Sequence, residues 1–566
     1  MRLLKLALAN LALSSLFASP SSATCLCMPR DICWPSPSTW DQLNSTVGGR
    51  LVATVPLGSP CHDPVYNETA CAALRDGWMD SQLHMDSSSS IMAPFFANQS
   101  CDPFTLASRP CLLSNYVSYA VNVSCPDDVI AAIKFAKENE IRFVIRNTGH
   151  DYLGKSTGAG ALAVWMHHLK DTEVLDWSDE SYVGKAIKMG AGVQGFEAMA
   201  AAHEHGLVAV TGECPTVGVA GGYTQGGGHS ALSTSFGLAA DQVLEWEVVT
   251  ADGSLVTASP THNSDLYWAL SGGGGGTYGV VISLTAKAYP DAIVSGASIT
   301  FTSANISADT FYQAVEAFHS ELPAMVKAGA MVIYFVTSTG FQIQPITAYN
   351  KTSNDVKDML SSFTSSLVDL RIKYNVSYSQ SPTYTEHYNT YLGPLPYGNI
   401  QVGIAQYGGR LIPRAVIEQN NSAVTRALRN ITEHGAIFIG VGLNVSSNAA
   451  PSKNSVLPAW RQALISATLT TPWNFSAPWE DMIALQDEMT DSIIPQLEAV
   501  TPGSGAYMNE ADFRQPGWQE VFFGQNYEEL VEVKRRWDPE VLFWAIRSVG
   551  SERWSVGDGG RLCKSS

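Results

Sequence analysis

Beyond its first two dozen residues the 566-residue chain has no long apolar run. Later hydrophobic stretches are short or interrupted, which excludes a bilayer-spanning helix there. Basic residues are scarce, with 34 Lys and Arg against 52 Asp and Glu, a balance that argues against nucleic acid as a partner. The sequence has no His-Glu-x-x-His and no Cys/His zinc spacing, so no catalytic metal is expected. Five glycines, Gly272 to Gly276, are not followed by Gly-Lys-Ser/Thr and so make no phosphate loop of the nucleotide-hydrolase kind.

What is present begins with residues 1–23. Arg2 and Lys5, an apolar run from Leu6 to Phe17, and the small residues Ser21 and Ala23 have the layout of a cleavable secretory signal. Its removal leaves 32 basic against 52 acidic residues, a formal charge of −20. Export without a membrane anchor is the expectation. Sequons at Asn44, Asn67, Asn98, Asn122, Asn305, Asn350, Asn375, Asn420, Asn430, Asn444 and Asn474 fit a glycosylated surface. Eight of the ten cysteines fall between Cys25 and Cys125, the others being Cys214 and Cys563, and in an exported protein disulfides are the default. Proximity alone suggests Cys61 with Cys71 and Cys101 with Cys111.

The length calls for two or more domains. Residues 24–112 are rich in Cys, Pro and Ser and read as an irregular, disulfide-tied arm. Regular patterning follows. Asp127 or Asp128 is placed to cap a helix whose apolar positions Val129, Ile130, Ile133 and Ala136 recur at helical spacing, and residues 142–146 read as a strand. Strands at 161–165, 186–189 and 207–210, with a helix at 194–205 stopped by Gly206, complete the unit. Gly190, Gly192 and Gly195 spell G-x-G-x-x-G, with Glu213 about 20 residues on, so a nicotinamide-type dinucleotide fold is a competing reading. No regular βαβ run surrounds it, and residues 243–250 and 255–258 look like a hairpin, which favours a packing role for these glycines. After about residue 290, strands and helices suggest a second, α+β domain.

Two glycine-embedded stretches dominate the chain. One is Arg146, Asn147, Thr148, Gly149, His150, Asp151 and Tyr152. The other runs from Glu213 through Cys214, Pro215, Thr216, Val217, Gly218, Gly221, Gly222, Gly226, Gly227 and Gly228 to His229. Glycine tolerates positive φ and lets backbone amides close on a flat or anionic ligand, so both stretches suit a cofactor. Taken alone, His150 reads first as a buried hydrogen-bonded histidine or a loop turn residue, and Cys214 as a half-cystine.

Together these stretches resemble the vanillyl-alcohol-oxidase flavoproteins, most closely the secreted fungal form of the berberine-bridge-enzyme-like branch. The resemblance is strong over about 110–290 and in the C-terminal segment, where Asn526, Tyr527, Leu530 and Lys534-x-x-Trp-Asp-Pro539 are close to the closing signature of the family. It implies a two-domain PCMH-type FAD-binding fold, α+β overall, with the FAD domain at 113–290 as two α/β subdomains. A substrate domain on an antiparallel sheet would follow at 291–504, and 505–566 would return to the flavin. The resemblance further implies FAD bonded twice, at its 8α-methyl by His150 and at C6 by Cys214, which would leave an odd number of other cysteines.

Gly279 and Val280 would approach the flavin with the 272–276 glycines, Asn526 would hydrogen-bond near the ring, and Tyr527 would pack. Val217 occupies the oxygen-gate position of the family, where valine implies an oxidase giving hydrogen peroxide; it is equally ordinary packing. The Tyr-x-Asn-Tyr of the family reads Tyr507-Met-Asn509-Glu510 here. Glu510 or Tyr507 is then the proton acceptor, unless Glu510 is a solvated acid. The implied enzyme is a monomeric oxidase of a small-molecule or oligosaccharide CH–OH or CH–NH group, using O2. Alternatives are an oxidative cyclase or dehydrogenase of secondary metabolism, and a non-catalytic flavin glycoprotein.

Overall fold

The computed structural model describes residues 24–446 and 454–565, so the secretory-signal expectation for 1–23 lies outside the described residues. The fold is α+β and built on three sheets. The first is four-stranded, in the order Leu51–Ala53, Tyr119–Asn122, Leu162–Trp165, Phe143–Arg146; the last three strands are parallel and the first is antiparallel. Leu162–Trp165 is entirely apolar and buried, and Phe143–Arg146 nearly so, as strands covered on both faces must be. Helix Pro126–Glu138 covers one face through Val129, Ala132, Ile133 and Ala136.

That helix is not capped by Asp127 or Asp128. Its N-cap is Cys125, with Pro126 at N1, where a missing N–H costs nothing. The two aspartates occupy the first turn, and Asp128 accepts from Ser124 N and Oγ and pairs with Arg50 at 2.5 Å. The arm also differs from the expected irregular segment. It supplies the edge strand Leu51–Ala53, and the helix Pro37–Thr46 buries Trp40 and Leu43 against Val121, Ile133 and Phe143. Cys25–Cys563, Cys27–Cys33, Cys61–Cys71 and Cys101–Cys111 are disulfides, while Cys125 and Cys214 are free.

The second sheet runs Thr172–Ser178, Val183–Gly190, Val280–Pro290, Val243–Val249, Leu255–Ala258, with Leu207–Ala209 also on Val280–Pro290, and every pairing is antiparallel. The strand before the G-x-G-x-x-G is therefore not the parallel strand of a dinucleotide fold. A Cβ on Gly190 or Gly192 would lie 2.4 Å from Leu169 O or 2.3 Å from His167 O, and one on Gly195 would lie 3.1 Å from Pro215 O. These glycines admit protein backbone, which overturns the nicotinamide reading.

The third sheet is antiparallel and seven-stranded: Tyr374–Ser381, Val294–Thr302, Gly340–Tyr349, Ala330–Val336, Ile437–Gly442, Ala463–Pro472, Ala405–Pro413. Helices Ala308–Lys327, Ser353–Asp369 and Arg414–Glu433 shield one face. Phe311, Val315, Phe318 and Leu322 recur at spacings of four and three along the first helix and are fully buried. Each contributes about 1.5–3 kcal/mol by leaving water. The opposite face carries Met331, Ile333, Leu411 and Val441 and packs on Leu232, Leu238 and Tyr507. This contact closes the third sheet over the glycine segments. The C-terminal helix Tyr527–Trp537 returns to the second sheet through Leu530 and Val533.

Candidate active site

Between the sheets lies an open cleft lined by parts of both glycine stretches, by Gly275, Gly276 and Gly279, and by Tyr507 and Glu510. Strand Phe143–Arg146 ends at its wall, and the chain turns there because Gly149 adopts φ +88°. A Cβ at that position would strike the Arg146 guanidinium at 2.6 Å. Arg146 lines no part of the cleft. It is 1% exposed and donates to His84 O at 3.1 Å, so it props the loop from behind. Asp151 shapes the same turn by accepting from Leu153 N at 3.0 Å and from Ser156 N at 2.7 Å.

His150 and Cys214, 64 residues apart in sequence, meet at one hydroxyl. Thr216 Oγ1 lies 2.8 Å from His150 Nε2 and 3.4 Å from Cys214 Sγ, and its outer neighbour is Ser81 Oγ at 3.2 Å. Burial, helped by His84 and Arg146, lowers the His150 pKa to about 4, so its imidazole is neutral. Burial pushes the Cys214 thiol up, and hydrogen bonds from Thr216 pull it partly back. The two glycine segments touch through Asn147, which donates to Ala191 O at 2.5 Å and packs on Gly218 and Gly221. Gly275 lies so close to Gly222 that a Cβ would be 2.8 Å from its Cα.

Other expected residues line the cleft as well: Thr148, Tyr152, Val217, Gly218, Gly221, Gly222, His229, Gly279, Tyr507 and Glu510. Several do not. Thr216 is buried behind the histidine, and Pro215 packs on Gly195 and Gly398. Gly226, Gly227 and Gly228 form the turn beneath Asn509 and Ala239. Val280 is a core residue, because its side chain falls on the face packed against Val249 and helix Pro126–Glu138. Asn526, expected beside a ring, donates to Ser455 O and Val456 O. Tyr527 packs on Trp518 and Phe523, with its hydroxyl donating to Glu552. Asn526 thus ties the turn at 455–456 to the start of the C-terminal helix, while Tyr527 packs within the C-terminal segment itself.

Sequence reasoning missed several lining residues. Lys155, its pKa lowered by burial to about 8, had no motif to mark it. Asn509 does carry a signal, as the third residue of the Tyr507 motif. It donates to Tyr507 Oη at 2.8 Å and to Gly222 O at 2.7 Å. Tyr407, also missed, comes from the third sheet and lies behind the cleft wall, stacking on the lining residue Tyr152 at 3.6 Å. Buried polar atoms on the wall, Asn147 Oδ1 and Gln225 Oε1, have no partner among the described residues. Unpaired buried acceptors mark a place where a ligand supplies the donors. With the glycine walls, a neutral imidazole and a free thiol, the residues present fit a flavin nucleotide.

Glu510 and Tyr507 differ in their readiness for a proton. Burial pushes the Glu510 pKa up, but the adjacent His229 and a hydrogen bond from Thr468 Oγ1 at 2.8 Å outweigh it, and the net direction is down. Burial, then the Glu510 charge, drives the Tyr507 phenol far above its ordinary range. At neutral pH the carboxylate is the free acceptor and the phenol holds its proton.

Comparison with known proteins agrees with this architecture. The family described as FAD binding domain matches residues 117–259, and that described as berberine and berberine like matches 506–550. The chain is 56% identical to the FAD-linked oxidoreductase ZEB1 of Gibberella zeae, over 98% of this chain and 97% of that one. The crystal structure of the VAO-type flavoprotein MtVAO615 from Myceliophthora thermophila superposes with a TM-score of 0.93 at 43% identity, covering 96% of this chain and all of that one. The 6-S-cysteinyl, 8α-N1-histidyl FAD glucooligosaccharide oxidase of Acremonium strictum shares the fold, with a TM-score of 0.61 at 19% identity over 77% and 92% of the two chains. The chain belongs to the VAO-type, berberine-bridge-like family of FAD-linked oxidoreductases.

Proposed function

We propose that this protein is an exported oxidase that carries FAD on two covalent links, at His150 and Cys214, and oxidises a CH–OH or CH–NH group of a small molecule or carbohydrate. The observation that carries the reading is the convergence of a neutral imidazole and an undisulfided thiol on Thr216 Oγ1, at 2.8 and 3.4 Å. Cys214 belongs to none of the four disulfides, so its thiol is available for a bond to the cofactor. The glucooligosaccharide oxidase of the same fold, with its cysteinyl and histidyl FAD, supports the same assignment.

When bound, the flavin supplies the two-electron acceptor for the substrate hydride and passes the pair to dioxygen, giving hydrogen peroxide. The chain does the rest. Asn147, the glycines at 218, 221, 222, 275 and 279, and Gln225 hold the cofactor, and the paired links allow the cleft to stay open to a bulky substrate. Glu510 takes the substrate's hydroxyl or amine proton, Tyr507 and Asn509 orient the substrate, and Tyr152, backed by the stacked Tyr407, forms an amphipathic wall. Val217 lines the cleft as a small side chain, leaving room for dioxygen. Among the described residues no helix is long and apolar enough to cross a membrane, and the four disulfides support export.

Acid precipitation tests the attachment. The pellet should stay yellow in the wild type and in H150A and C214A singly, and turn colourless in the double variant. A wild-type pellet without flavin refutes both links. A peroxide assay across oligosaccharides, aliphatic and aromatic alcohols and alkaloid-like amines then assigns the substrate.

A further inference from the structure

His229 directly follows the Gly226–Gly228 turn, and its backbone is fixed by Tyr223 Oη, which donates to His229 O at 3.0 Å. Its ring lies between two acids brought together from distant parts of the chain. Nδ1 is 3.2 Å from Glu213 and Nε2 is 2.9 Å from Glu510. The imidazole is 5% exposed, Glu213 15% and Glu510 26%, so the array is shielded on the histidine side and opens to the cleft at Glu510.

Two carboxylates on the two ring nitrogens define the ring's state. A neutral imidazole has one N–H and one lone pair, so it satisfies one acid and faces the other with repulsion. Only the imidazolium donates to both. Burial works against that charge, but the flanking acids outweigh it, and the His229 pKa lies well above 6.5.

We propose that His229, clamped by Glu213, is a positioning residue that holds Glu510 as an oriented, proton-accepting carboxylate, and is not a ligand of the cofactor. The proposal rests on the reading above that Glu510 takes the substrate proton. In that step the substrate O–H or N–H bond breaks and its proton bonds to Glu510. The electron pair left behind closes the C=O or C=N bond as the hydride leaves carbon for the flavin. The array of one imidazolium and two carboxylates thereby goes from −1 to neutral.

Glu510 is fully furnished for this role. Oε1 accepts from His229 and Oε2 from Thr468 Oγ1, leaving further lone pairs towards the cleft. Its carbonyl sits so tightly against the third sheet that a Cβ on Gly409 would lie 2.2 Å from it. The other titratable groups facing the array are Tyr152, Tyr223, Tyr384, Tyr388, Tyr407, Tyr507 and Cys214. Burial raises all seven, the Tyr407 phenol to about 12, so none competes as an anion at neutral pH. The imidazolium is then the counter-charge that keeps the carboxylate ionised and aimed.

The test is pH-difference infrared spectroscopy of the flavin-loaded protein, with E510Q subtracted to isolate the Glu510 carboxyl band. In the wild type that band should appear only below the ordinary 4.5 of a glutamate. In H229Q it should move up by about 1–3 on the pH scale, the effect of an opposite charge at contact distance. H229N also removes the imidazolium and should move the band up in the same way; it decides the matter if H229Q does not fold. An H229Q or H229N band unmoved from wild type overturns the proposal, as does an H229Q protein that folds but cannot retain flavin. Wild-type flavin lost on acid precipitation would instead refute the covalent cofactor and leave the infrared result standing.

Discussion

Glu510→Gln keeps the hydrogen bonds to His229 and Thr468 but removes the basic oxygen. Turnover in the peroxide assay is expected to fall about 10²–10⁴-fold, the usual worth of a positioned base. Tyr507→Phe should cost less, because the phenol holds its proton, and an equal loss in both variants would contradict the assignment. The same residues predict a pH dependence of stability. The folded pKa of Glu510 is depressed below 4.5, so its contribution is full above that value and is lost as pH falls through the folded pKa. The folded pKa of His229 is raised above 6.5, so its contribution is full below that value and is lost as pH rises through the folded pKa. The difference in thermal midpoint between wild type and E510Q should therefore peak from about pH 4.5 to about 6.5 and shrink on either side. A flat difference would mean that the pair is uncharged.

At the scale of elements, the helix Tyr527–Trp537 is anchored by one buried ion pair. Lys534 Nζ donates to Asp538 at 2.7 Å, to Phe543 O at 2.9 Å and to Thr277 O, while Asp538 accepts from Leu542 N at 2.8 Å and Phe543 N at 2.9 Å. Lys534 is 2% exposed and Asp538 0%. The Lys-x-x-Trp-Asp-Pro pattern is thus a staple between the C-terminal helix and the segment carrying Phe543 and Trp544 into the cleft. Lys534→Met strands a buried carboxylate and should cost about 3–5 kcal/mol in denaturant unfolding. A loss below 1 kcal/mol would show that the staple is not tight.

For the whole molecule, the Cys25–Cys563 disulfide closes the arm onto the C-terminal hairpin Trp554–Val556 and Leu562–Lys564. Replacing both cysteines by serine should lower stability by about 2–4 kcal/mol and expose the arm to proteolysis first. Simultaneous cleavage throughout the chain would argue against that local role. Much of this architecture was legible in the chain: the strand at 143–146 and the helix at 195–203 follow from apolar spacing and flanking glycines, and His150 and Cys214 stand out by their neighbours. Such local features obey short-range steric and periodic rules, so a one-dimensional reading finds them. The sequence did not reveal that Thr216 joins His150 to Cys214, that His229 lies between Glu213 and Glu510, or that Tyr407 stacks on Tyr152. Nor did it warn that Val280 and Asn526 turn away from the cleft. These contacts span tens to hundreds of residues, and only the closing of the third sheet over the glycine segments decides them, because distance in sequence carries no information about which side chains desolvate together.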